Sequence, residues 1–168
     1  MKKVGIVMGS DSDLPVVKKA IDTLIELAVP FEVHVYSAHR TPEQARNFAL
    51  KAKEDDFGAI IAAAGKAAHL AGAIAASTTL PVIGIPIKSS TLDGLDALLS
   101  TVMMPPGIPV ATVGVDGAVN AALLAAQIIA VNDEELYAKL VAKREKAAKK
   151  VLEKDAAIMD KIAVSNME

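Results

Sequence analysis

Three short segments of this sequence gather side chains that could bind an anion and move a proton. They are Gly9-Ser10-Asp11-Ser12-Asp13, Ser37-Ala38-His39-Arg40-Thr41 and Gly65-Lys66-Ala67-Ala68-His69-Leu70-Ala71-Gly72. In the first, Gly9 permits a tight turn, and Ser10 with the backbone N–H groups of a helix start can hold a phosphate. Two carboxylates beside them argue against a loop that only binds phosphate. Asp13 is suited to accept hydrogen bonds from ribose hydroxyls; Asp11 and Ser12 serve either the ligand or the cap of the following helix. In the second segment Arg40 presents a planar fork of donors at a helix N-terminus, which already favours anions. Ser37 adds a hydroxyl. His39 is of the one residue type whose charge changes near neutral pH, so it can both give and take a proton.

The third segment is mostly small. Gly65, Ala67 and Ala68 let backbone approach a ligand closely, Leu70 adds an apolar wall, and His69 is a second titratable group. Two readings of His69 stand side by side: a catalytic partner, or a buried histidine satisfied by backbone. Gly65-Lys66 is not a phosphate-binding P-loop, because Gly58 stands at the wrong spacing and Ala67 replaces the required Ser or Thr. His34 falls on an alternating apolar run and reads as structural or surface. The three histidines lack metal-ligand spacing, and neither a Gly-x-Ser-x-Gly elbow nor a Gly-x-Gly-x-x-Gly fingerprint occurs. Acid–base chemistry without metal or cofactor is the expectation.

Something must bring these segments together. Five apolar runs, Val4–Met8, Phe31–Tyr36, Ala59–Ala64, Val82–Ile87 and Val110–Val115, alternate with helical patterns. Four are continuous, as in strands covered on both faces. The second alternates, with Phe31, Val33 and Val35 opposite Glu32, His34 and Tyr36, which suits an edge. Leu14, Val17, Ile21, Leu24 and Ala28 recur near period 3.6 and predict one helix face. Thr41-Pro42-Glu43-Gln44 predicts a helix start with Thr41 and Gln44 as a capping box. Strand–helix alternation implies a three-layer, doubly wound α/β fold with a parallel sheet. In the common strand order 2-1-3-4-5, ligands bind beyond the carboxyl ends of strands one and three. The three segments fall there.

The closing stretch differs. From Asp133 it balances basic with acidic residues and spaces Leu136, Leu140, Ala147, Val151, Ile158 and Ile162 along one stripe. Asn132 with Glu135 predicts its cap. A long C-terminal helix over 133–164 is expected, lying either on its own domain or across a subunit boundary.

The 168 residues suit one domain, 1–168, with 52% hydrophobic and 23% charged residues, so disorder is excluded. Aromatics are only 3%, leaving Ala, Val, Ile and Leu to build a tightly packed core. A net charge of −2 gives no electrostatic case for nucleic acid or an anionic membrane. The absence of Cys removes disulfides and thiolate chemistry. The apolar run after Lys3 is too short for a signal peptide, and Ala118–Val131 is interrupted by Asn120 and Gln127. A cytoplasmic location is expected.

Together the segments resemble the PurE family of purine biosynthesis. Further markers are Pro42 after Thr41, Leu92-Asp93-Gly94-Leu95-Asp96, Met104-Pro105-Pro106-Gly107-Ile108-Pro109-Val110 and Asn120-Ala121-Ala122-Leu123-Leu124-Ala125. The resemblance spans about Val4 to Val151. It implies a flavodoxin-like fold, a homo-octamer, and 5-(carboxyamino)imidazole ribonucleotide mutase chemistry with His39 as general acid and base. The implied phosphate ligands are Ser10, Ser37 and Arg40, with Asp13 on the ribose. Gly9, Asp11, Ala38, Gly65, Ala67, His69 and Leu70 complete the expected substrate contacts. Lys66, Ala71 and Met103 depart from the family pattern, which usually has Gly or Leu, Pro and Gln in those places. A second family branch carboxylates aminoimidazole ribonucleotide directly with CO₂; Arg40 and the Ala67–Leu70 run favour the mutase. A flavin-binding module without catalysis is the remaining alternative, and the three loops hold no aromatic residue for a flavin ring.

Overall fold

The computed structural model describes residues 1–90, 92–159 and 162. Five parallel strands form one sheet: β1 (Lys3–Met8), β2 (Phe31–Val35), β3 (Phe57–Gly65), β4 (Val82–Ile87) and β5 (Ala111–Thr112), in the order β2-β1-β3-β4-β5. Between them lie α1 (Leu14–Glu26), α2 (Pro42–Lys51), α3 (Leu70–Ala75) and α4 (Leu95–Val102); α5 (Ala118–Ala130) and α6 (Glu134–Ala156) follow β5. This is the expected order, with the alternating strand β2 at an edge.

Strand alternation sorts the core into two layers. Val4, Ile6 and Met8 of β1, with Ala59, Ile61 and Ala63 of β3, face α1 and α5. Val7, Ile60 and Ala62 face α2 and α3. A fully buried Ile such as Ile6 or Ile61 contributes roughly 1.5–3 kcal/mol. The missing aromatic bulk is replaced by proximity. In α5, Ala118, Ala121, Ala122, Ala125 and Ala126 are all fully buried, so the helix lies close on the sheet. On the other face Gly84 lets α4 approach, since a Cβ there would sit 2.3 Å from Thr101 Cγ2.

Several local expectations change. The buried face of α1 is Val17, Ala20, Thr23 and Leu24; Leu14 is 46% exposed, and Ala28 lies past the helix end with φ of 56°. An Ala in the left-handed region terminates the helix, and the Val29 N–H returns to the Leu24 carbonyl at 2.9 Å. Pro42 does open α2, but Thr41 forms no side-chain cap. Its hydroxyl is engaged by the preceding loop, accepting from Ser37 N–H at 2.8 Å. Asp133, not Asn132, caps α6, accepting from Leu136 N–H at 3.0 Å. Only Ala111 and Thr112 of the expected fifth strand pair with β4, because the chain then bends through Gly114 to Asp116, whose φ is 55°.

The stripe on α6 divides along its length. Leu136 and Leu140 are buried against the domain, whereas Val151 is 63% exposed. Lys143 Nζ, 2.5 Å from Glu26 Oε2, ties the helix to α1. Of the expected span to 164, residues 160, 161, 163 and 164 lie outside the described residues. No helix among the described residues is long and apolar enough to cross a membrane.

Candidate active site

At the carboxyl ends of β1, β2 and β3 the three loops converge on a cleft of about 670 Å³. That is ample for a small ligand. Its lining includes Gly9, Ser10, Asp13, Ser37, Ala38, His39, Arg40, Gly65, Ala67, His69 and Leu70. Asp11 alone of the expected set does not line it. The Asp11 side chain is exposed and accepts from Ser10 Oγ at 3.3 Å.

The β1 loop makes a 3-10 turn, Asp11–Asp13, capped by Ser10, whose hydroxyl accepts from Ser12 N–H at 3.3 Å and from Ser12 Oγ at 2.9 Å. Asp13 closes the turn and is only 8% exposed. Burial pushes its carboxyl above the usual aspartate range. Hydrogen bonds from the Ser10 backbone and Ser12 hydroxyl oppose this, while the Asp11 charge adds to it.

The β2 loop is tied to itself. Ser37 Oγ accepts from the N–H groups of His39 at 3.3 Å and Arg40 at 3.2 Å. Thr41 Oγ1 accepts from Ser37 N–H and donates to Ser37 O at 3.2 Å. The chain entering α2 is therefore fixed at both ends. Arg40 Nη2 donates across to Gly9 O at 3.1 Å, joining this loop to the first.

The β3 loop contributes the second histidine. His39 Nε2 and His69 Nδ1 stand 2.9 Å apart, with the rings nearly perpendicular at 84°. One nitrogen donates and the other accepts, so the contact holds a proton between two groups that can each carry it. The buried-histidine reading of His69 does not hold, since its ring is exposed at the cleft. Ala68 and Leu70 anchor the loop in the core at 1% and 2% exposure.

Sequence reasoning missed one wall. Ile87, Lys88 and Ser89 at the end of β4 also line the cleft. The signal was available: Lys88 directly follows a strand next to β3 in the expected order. Lys88 Nζ lies 3.0 Å from Asp93 Oδ1, and its backbone N–H donates to Asp116 Oδ1 at 2.9 Å. His34 is remote, stacked on Tyr36 at 4.9 Å. Among the described residues no group of three or more His, Cys, Asp or Glu side chains could hold a metal ion. The arrangement presents a cationic, hydroxyl-rich corner, a proton-carrying pair, and a wall of small residues.

Comparison with known proteins agrees with that chemistry. The family model described as AIR carboxylase matches residues 3–150. The N5-carboxyaminoimidazole ribonucleotide mutase of Pyrococcus abyssi is 59% identical, with 86% of this chain and 83% of the relative covered. The protein of the same name from Bacillus subtilis is 55% identical, covering 89% and 94%. Among solved structures, that of PurE from Treponema denticola superposes with a TM-score of 0.82 at 31% identity, covering 91% and 96%.

Proposed function

The chain belongs to the AIR carboxylase family, and from that premise we propose that it converts N5-carboxyaminoimidazole ribonucleotide to 4-carboxy-5-aminoimidazole ribonucleotide. One observation carries the reading: the His39–His69 contact of 2.9 Å lies where the polar loops meet the small-residue loop. Ser10, Ser37 and Arg40 hold the phosphate, with Gly9 and Ala38 backbone beside them, and Asp13 accepts from the ribose. His39 protonates the carbamate nitrogen, and the N–C bond breaks to release CO₂. The ring carbon of the aminoimidazole then attacks that CO₂, and His39 removes the proton from the same carbon. One imidazole ends as it began, having used both protonation states. Gly65, Ala67 and Leu70 form a compact wall that keeps CO₂ beside the ring between the steps.

The same reading takes residues 1–168 as one domain in a cytoplasmic homo-octamer, with the outer part of α6 at a subunit boundary. The exposed Val151 and Leu152 of that helical end, and Ile158 just past it, support it. The substrate is a free ribonucleotide, and neither nucleic acid nor membrane takes part. No metal or cofactor is invoked.

Isotope transfer tests the reaction. Carbamate substrate is supplied in bicarbonate labelled with heavy carbon, and the product is analysed by mass. Retention of the substrate's own carboxyl carbon is expected. Product carrying the full solvent label would show instead a direct carboxylation of aminoimidazole ribonucleotide.

A further inference from the structure

Lys66 occupies a place that local structure does not favour. Its φ is 54°, in the left-handed region where a Cβ is strained and glycine is not. Its side chain is exposed and lines the cleft, three residues from His69. The other two cations of the cleft have protein partners: Arg40 donates to Gly9 O, and Lys88 pairs with Asp93. Among the described residues no ion pair engages Lys66.

The sheet order separates these charges. Arg40 follows β2 and leans toward the β1 loop, whereas Lys66 follows β3, in the loop that also carries His69. The reaction proposed above involves a ligand with two anionic ends, a phosphate and a carboxyl group. With the phosphate in the Ser10–Ser37–Arg40 corner, the carboxyl group falls at the histidine pair and beyond it.

We infer that Lys66 is a specificity-determining residue that binds the carboxylate of the ribonucleotide, in both its carbamate and ring-carboxylate forms. This inference rests on the proposed reaction. CO₂ in flight is neutral, so the ammonium strengthens the two ends of the reaction and not its middle. Its contribution is to binding, and it does not lower the barrier from the bound state.

The test measures steady-state turnover of the carbamate substrate and binding of aminoimidazole ribonucleotide, which has the phosphate and no carboxyl group. Lys66→Gln is expected to raise KM roughly tenfold without lowering kcat, the size of one charge-assisted hydrogen bond lost. Aminoimidazole ribonucleotide should bind both forms within about twofold. Lys66→Arg should keep KM within about threefold of the parent. Lys66→Gly should raise KM as the Gln variant does while its Tm is no lower, because the backbone strain is relieved. Equal weakening of aminoimidazole ribonucleotide would assign Lys66 to the phosphate and overturn the inference. An unchanged KM in Lys66→Gln would overturn it too, leaving a solvated side chain. Failure of the unsubstituted protein to turn over the carbamate would instead remove the proposed reaction.

Discussion

The two halves of the cleft are built differently. Around the β1 and β2 loops, side chains bond to backbone: Ser10 to Ser12, Ser37 to His39 and Arg40, Thr41 to Ser37, and Arg40 to Gly9. Among the described residues the β3 loop has only a backbone bond within it, His69 N–H to Ala67 O at 2.9 Å, and it depends on buried Ala68 and Leu70 for its anchorage. One half is a polar frame that fixes charged groups before a ligand arrives. The other is a close-packed wall whose value lies in the space it leaves. A side-chain hydrogen bond between His39 and His69 crosses the divide.

Replacing His39 with Asn gives the largest expected effect. If the frame binds and the histidine reacts, kcat should fall by about 10²–10⁴. Affinity for the product ribonucleotide, measured by calorimetry, should stay within a few-fold of the parent. Loss of affinity on the same scale as loss of turnover would mean that His39 is part of the frame, and the division between binding and reacting groups would collapse.

A smaller effect separates the two loops. Ser37→Ala removes the acceptor shared by the His39 and Arg40 N–H groups, a change worth about 1 kcal/mol. Tm should drop by roughly 2–4 °C. Catalytic efficiency should fall further than that loss implies, because the His39 ring is less well placed. Ala67→Gly in the opposite loop breaks no side-chain tie and should shift Tm less. If thermal scans show the reverse ranking, side-chain ties are not what holds the β2 loop.

The same contrast explains what could be read from the sequence. The polar half was legible because its residue types name their own chemistry: Arg beside His at a predicted helix start, carboxylates beside Ser. Strand order and the edge place of β2 followed from continuous against alternating apolar runs. Residues whose role is decided by the local turn, or by a neighbour far along the chain, are the ones the sequence leaves open. Thr41 read as a cap because a hydroxyl before Pro is usually one, yet the nearer Ser37 backbone took it. Asp11 carried the same side chain as Asp13, and only the turn geometry decided which one faced the cleft. His69 could be placed in a loop from sequence, but its partner thirty positions earlier is a product of sheet order. The Lys88 wall lies one strand beyond the reversal between β1 and β3, at the end of β4, so the strand-order rule alone does not reach it.

Asp13 sharpens the comparison most finely, because it asks whether the polar frame serves the fold or the ligand. Its carboxyl lies above the usual aspartate range through burial, so the native state takes up a proton at a higher pH than the unfolded chain does. Stability linked to Asp13 is therefore full below the ordinary aspartate range and declines as pH rises through the raised native value. At neutral pH the folded protein holds a buried negative charge that it would be more stable without. Asp13→Asn removes that burden, so its Tm should exceed the parent's at pH 7. The gap should narrow as pH falls into the aspartate range, where the parent's carboxyl becomes protonated as well. The variant should also bind the ribonucleotide more weakly, having exchanged a group that only accepts hydrogen bonds for one that also donates. A lower Tm for Asn at pH 7, with no pH dependence of the difference, would show that the carboxylate holds the β1 loop together. The frame would then be structural first. Higher stability joined to weaker binding instead marks a charge kept at the fold's expense for a ligand.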